Sequence, residues 1–99
     1  MRNLSIDRRR IEVFCRKWRV VEFALFGSVL REDFGPESDV DVLLSFDPQA
    51  PWSLLDLAEM RDELCSLFGR DVDLVEKRAI RNPFRRRAIL GHHEVIYAG

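Results

Sequence analysis

Apolar and polar positions alternate along this chain with two different periods. Near the N-terminus Ile11, Phe14, Cys15 and Trp18 recur at i, i+3, i+4 and i+7, with arginines on the other faces. That spacing predicts an amphipathic helix from about Ile6 to Trp18. Val20 to Phe26 is short and rich in β-formers, and Val21, Phe23 and Leu25 share one face of a predicted strand. From Asp39 to Phe46 the period is two. Val40, Val42, Leu44 and Phe46 take one side; Asp39, Asp41, Leu43 and Ser45 take the other. Past the Asp47-Pro48-Gln49-Ala50-Pro51 loop, Ser53 and Asp56 form a capping-box signature. Leu54, Leu57, Ala58, Leu64, Cys65 and Phe68 supply the stripe of that helix, and Gly69 its stop. Val72 to Val75 reads as a third strand with Asp73 among apolar neighbours. A last helix is expected from Pro83, capped by Asn82, to Leu90, ahead of a short Val95-Ile96-Tyr97 segment. With a short helix between Gly27-Ser28 and the Gly35-Pro36 turn, helices and strands alternate throughout. The implied fold is α/β (α+β), a small mixed sheet flanked by helices.

The 99 residues suffice for one core, so a single domain over 1–99 is expected. Apolar content of 46% and charged content of 33% suit a globular chain rather than a disordered one. A net charge of −1 neither recruits nor excludes nucleic acid, and direct nucleic-acid binding is not expected. The charge is unevenly spread. Arg31 to Glu63 holds ten acids against two bases, whereas Lys77 to Arg87 holds six bases and no acid. An acidic middle suits a metal site; the basic stretch is most simply a solvated helical face. Cys15 and Cys65 lie in helical apolar patterns without metal-ligand spacing and read as reduced core residues. The arginine-rich N-terminus lacks the apolar region of a secretory signal, and no apolar run approaches the roughly 20 residues of a membrane span. A cytoplasmic protein is expected.

The candidate chemistry lies between Gly27 and Asp41, and at Asp73. Gly27 and Ser28 stand between a strand and a helix start, where backbone N–H groups can meet a phosphate and glycine offers no Cβ to hold it off. Ser28 can add its hydroxyl. Arg31, one turn on, can fork onto phosphate oxygens. Asp39 and Asp41, spaced i, i+2 in a strand, project to one face about 7 Å apart at the backbone. From there carboxylates can converge on two Mg²⁺ ions roughly 4 Å apart. An alternating edge strand with one wet face would also tolerate them. Asp73, on a neighbouring strand, can complete a metal shell and accept the proton of an attacking hydroxyl. His92 and His93 are adjacent and face apart, which argues for surface or terminal packing.

Gly27, Ser28, Arg31, Ser38, Asp39, Asp41 and the later Asp73 together match the pattern G-S-x-x-R, S-D-x-D and lone strand aspartate. In this the chain resembles the minimal nucleotidyltransferases of the DNA polymerase beta-like superfamily, which are usually paired with HEPN-domain proteins. The likeness covers nearly all of the chain after the first helix. It implies that Gly27, Ser28, Arg31 and Ser38 bind nucleotide, and that Asp39, Asp41 and Asp73 form a catalytic metal triad. It also implies Mg²⁺-dependent transfer of AMP from ATP to a hydroxyl, with release of pyrophosphate. Members of the family commonly act as antitoxins that adenylylate a tyrosine of a partner HEPN ribonuclease toxin. One departure is Glu32, where many members have glycine. Two other accounts remain: an antitoxin that neutralises its toxin by binding alone, and a transferase acting on RNA or a small molecule.

Overall fold

Helix α1 (Arg8–Trp18) starts where Asp7 can cap it, its carboxylate accepting from the Arg10 amide at 3.1 Å. The computed structural model describes residues 6–30, 35 and 38–99. Ile11, Phe14, Cys15 and Trp18 are the buried residues of α1, as their spacing predicts. Four strands form one sheet: β1 (Val20–Phe26), β2 (Val40–Phe46), β3 (Val72–Glu76) and β4 (His93–Ala98). Their spatial order is β3-β2-β1-β4. β1 runs antiparallel to both its neighbours, and β2 runs parallel to β3 through the crossover helix α2 (Leu54–Phe68). Helix α3 (Pro83–Gly91) begins at Asn82, whose side chain accepts from the amides of Phe84 and Arg85. The α+β reading of the sequence holds, with the Val95-Ile96-Tyr97 segment becoming part of a fourth strand that closes the β1 side of the sheet.

α1 and α2 cover one face. There Phe23, Leu25, Val40, Val42 and Leu44 pack with Phe14, Trp18, Met60 and Leu64. α3 covers the other face, where Ile80 and Ile89 pack on Ala24, Phe26 and Leu43. The result is a three-layer sandwich, and several expectations change with it. β2 is an inner strand, and Leu43 on its supposedly wet face is buried. A register shift between Val20 and Glu22 turns Val20 into the core and leaves Val21 38% exposed, because a bulge reverses which residues face inward. On α2 the buried residues are Met60 and Leu64, while Leu54 at the first turn is 84% exposed. The capping box of Ser53 and Asp56 sets where α2 starts, and that start carries Leu54 beyond the edge of the sheet.

Both cysteines are free, and burial pushes the Cys15 thiol up to about 12, so it remains a protonated core residue. Among the described residues no helix is long and apolar enough to cross a membrane.

Candidate active site

Where β1 ends and β2 and β3 begin, the sheet carries one cross-strand row. Phe26 pairs with His93 on one side and with Asp41 on the other, and Asp41 pairs with Asp73. Register partners share a face, so both aspartates project on the α3 side, one pleat beyond buried Leu43. Parallel neighbours lie about 4.8 Å apart. Two carboxylates at that separation repel, and a bound cation offsets the repulsion. Asp41 is half-buried and Asp73 exposed, so the row opens outward from strand to strand.

Gly27 follows immediately. Its φ is +73°, in the left-handed region, and the Asp41 carboxylate occupies the place where a Cβ would stand. Both the backbone conformation and the close approach therefore require glycine here. Gly27 begins a single 3₁₀ turn to Leu30. The Ser28 hydroxyl donates to the Asp39 carbonyl at 3.3 Å, tying this turn to the start of β2. Arg31 and Glu32 lie outside the described residues.

Ser38 is turned toward its own loop, its hydroxyl accepting from the Gly35 amide at 3.0 Å. Asp39 is exposed and precedes β2. Among the described residues no three histidine, cysteine, aspartate or glutamate side chains are grouped closely enough to hold a metal ion. Thus the sheet brings Asp41 and Asp73 together by register, and Asp39 does not complete a triad with them in this side-chain arrangement. The hard oxygen donors present are of the type that Mg²⁺ takes.

One residue of this region was missed in the sequence pattern. Arg70 Nη1 donates to the carbonyls of Gly35 at 2.6 Å and Ser38 at 3.2 Å, and the Val40 amide donates to the Asp71 carbonyl at 2.9 Å. Together these bonds moor the loop carrying Asp39 to the start of β3. An arginine two residues before a strand gives no signal of this by itself. His92 is exposed, and half-buried His93 meets the Leu90 carbonyl through Nδ1 at 2.9 Å, in keeping with terminal packing.

A glycine turn pressed against a strand carboxylate, with a second carboxylate in register beside it, sets backbone N–H groups and hard oxygen donors side by side. The chain belongs to the nucleotidyltransferase domain family, which it matches over residues 8–96. A Methanocaldococcus jannaschii protein, MJ1217, described as a candidate protein adenylyltransferase, is 36% identical over 93 residues, 94% of this chain and 91% of its own. Among solved structures, a toxin–antitoxin crystallised with AMP-PNP aligns over 95% of this chain and 75% of its own, at TM-score 0.76 and 19% identity. An MNT antitoxin in complex with the tri-AMPylated HEPN toxin of Shewanella oneidensis aligns over 93% of this chain and 70% of its own, at TM-score 0.67 and 18% identity. At those identities the structural likeness is one of fold.

Proposed function

We propose that this nucleotidyltransferase is a Mg²⁺-dependent protein adenylyltransferase, moving AMP from ATP to a tyrosine hydroxyl of a HEPN-type ribonuclease toxin that it thereby silences. The observation that carries the reading is the register pair of Asp41 and Asp73 beside a position that only glycine can occupy. The adenylyltransferase description of the M. jannaschii relative and the AMPylated toxin in the S. oneidensis complex support the choice of AMP and of acceptor. The AMP-PNP complex supports ATP as the donor.

In this mechanism the backbone at Gly27 and Ser28 receives the triphosphate tail, with Arg31 and Ser38 as further nucleotide ligands. The acceptor oxygen attacks the α-phosphorus, the bond from that phosphorus to the bridging oxygen breaks, and pyrophosphate leaves with the electron pair. Asp73 accepts the hydroxyl proton and returns it to solvent. Asp39, Asp41 and Asp73 would hold Mg²⁺, which supplies neutralisation of the triphosphate charge when bound. Asp39 must swing inward to join the other two, a motion its exposure allows. Arg70 keeps the loop before Asp39 from drifting while it does so.

The test is transfer of label from α-labelled ATP to a co-expressed HEPN-type ribonuclease in the presence of Mg²⁺, with loss of label in Asp41→Asn. A folded preparation that binds the ribonuclease but never labels it ends the catalytic reading. Neutralisation by binding alone is the second reading. Full neutralisation of the toxin by a double Asp39→Asn, Asp41→Asn variant would establish that alternative.

A further inference from the structure

The cross-strand row that joins Asp73, Asp41 and Phe26 ends on β4 at His93. Register partners share a face, so His93 lies on the α3 side with the two aspartates. At the backbone it stands two strand spacings, about 10 Å, from Asp41. A pocket of about 700 Å³ opens between this end of the row and α3. Phe26, Leu30 and Ile89 give it apolar walls, and Gly27, Gly91 and His93 also line it.

Gly27 is common to this pocket and to the carboxylate site. The Asp41 carboxylate takes the place of its Cβ, and its turn is the one that receives the triphosphate on the proposed reading. A nucleotide held there by its phosphates has an apolar cavity of ligand size within reach of its base. The span from Asp41 to His93 is one that a ribose and a purine bridge.

The polar character of the wall at His93 is set by one bond. Nδ1 lies 2.9 Å from the Leu90 carbonyl, near the end of α3. A carbonyl only accepts, so Nδ1 carries the proton, and the neutral ring keeps Nε2 as a lone-pair acceptor. The contact that packs this histidine against the helix end thereby fixes its tautomer. An acceptor pairs with an amine. Adenine presents its N6 amine, whereas guanine has a carbonyl oxygen in that place, whose lone pairs oppose those of Nε2. Cytosine also carries an amine but covers less of the apolar wall. We propose that this pocket holds the adenine of ATP, and that His93 is the residue that selects it over the other bases.

The proposal rests on the nucleotide reading, and its test separates the two. His93→Arg replaces the acceptor with donors. Gly91→Leu fills space, since a Cβ at Gly91 meets no atom within 4 Å and its φ lies outside the left-handed region. Affinities for ATP, GTP, CTP and UTP are measured by calorimetry with Mg²⁺ for the unaltered chain and both variants. Inorganic tripolyphosphate probes the phosphate site alone, and melting temperatures check the fold. The unaltered chain is expected to bind ATP at least about tenfold more tightly than GTP. His93→Arg should abolish or invert that ratio. Gly91→Leu should weaken every nucleotide toward the affinity of tripolyphosphate, which itself should stay within about twofold in both variants. A histidine that only packs the terminus would change the melting temperature and leave the ATP-to-GTP ratio alone. Equal affinity for ATP and GTP in the unaltered chain, tighter binding of CTP or UTP, or an unchanged ratio in His93→Arg overturns the proposal. Failure of tripolyphosphate to compete with ATP overturns the placement of the triphosphate instead. Absence of AMP transfer with the binding ratios intact overturns the adenylyltransferase reading and leaves the pocket assigned.

Discussion

The two faces of the sheet differ in how completely they are covered. Under α1 and α2, Phe23, Leu25, Val42, Leu44, Met60 and Leu64 are all sealed from solvent. On the opposite face α3 seals Ala24 and Leu43 but leaves the next row, Asp41 and Asp73, at the open end. One face is built for stability. The other spends part of its length holding two like charges side by side, an arrangement that favours a bound cation over the apoprotein's own stability.

Substitutions should therefore separate cleanly by face. The largest effect is expected from Asp41→Asn, which should lower AMP transfer about 10³-fold, roughly 4 kcal/mol of barrier, while the melting temperature changes little because asparagine keeps the shape that fits against Gly27. A melting temperature that drops sharply would mean that Asp41 serves the fold instead. Phe23→Ala, on the sealed face, should cost about 3–5 kcal/mol of unfolding free energy and leave transfer per folded molecule unchanged. Denaturant titration alongside a single-turnover assay checks both halves of that statement.

Arg70→Gln probes the mooring of Asp39. The Mg²⁺ concentration for half-maximal transfer should rise about 10- to 100-fold, with thermal stability nearly unaltered and partial recovery in Arg70→Lys. A fall in stability with no change in the Mg²⁺ curve would reduce Arg70 to a loop tether. At neutral pH the smallest effect belongs to Cys15. Its unfolded thiol ionises near the ordinary 9.0, whereas burial delays the folded one to about 12. The contribution is whole below pH 9 and declines as pH climbs toward 12, about 1.4 kcal/mol per pH unit at most. Subtracting the pH–stability curve of Cys15→Ala from that of the unaltered chain isolates it.

How much of this was readable without coordinates differed by element. α1 was legible because a straight helix with one apolar stripe meets one surface, and Ile11, Phe14, Cys15 and Trp18 are that stripe. α2 was less so: its expected stripe began at Leu54 and left out Met60, and only the position of the sheet buries Met60 and leaves Leu54 outside. The bulge that exchanges Val21 for Val20 is set by pairing with β2, which local spacing does not encode. Within the site, Gly27 and Asp41 stood out by residue type. Arg70 did not, since its role is to hold carbonyls that are distant in sequence.

From sequence alone came the mixed fold, the residue types of the site and their assignment to strand ends, because periodicity and turn chemistry act over a few neighbouring residues. Tertiary structure decided which carboxylates are partners, which loop is moored by which arginine, and which leucines remain outside. Those outcomes depend on register between segments about thirty residues apart, such as Asp41 and Asp73. Register is chosen by the packing of both sheet faces at once.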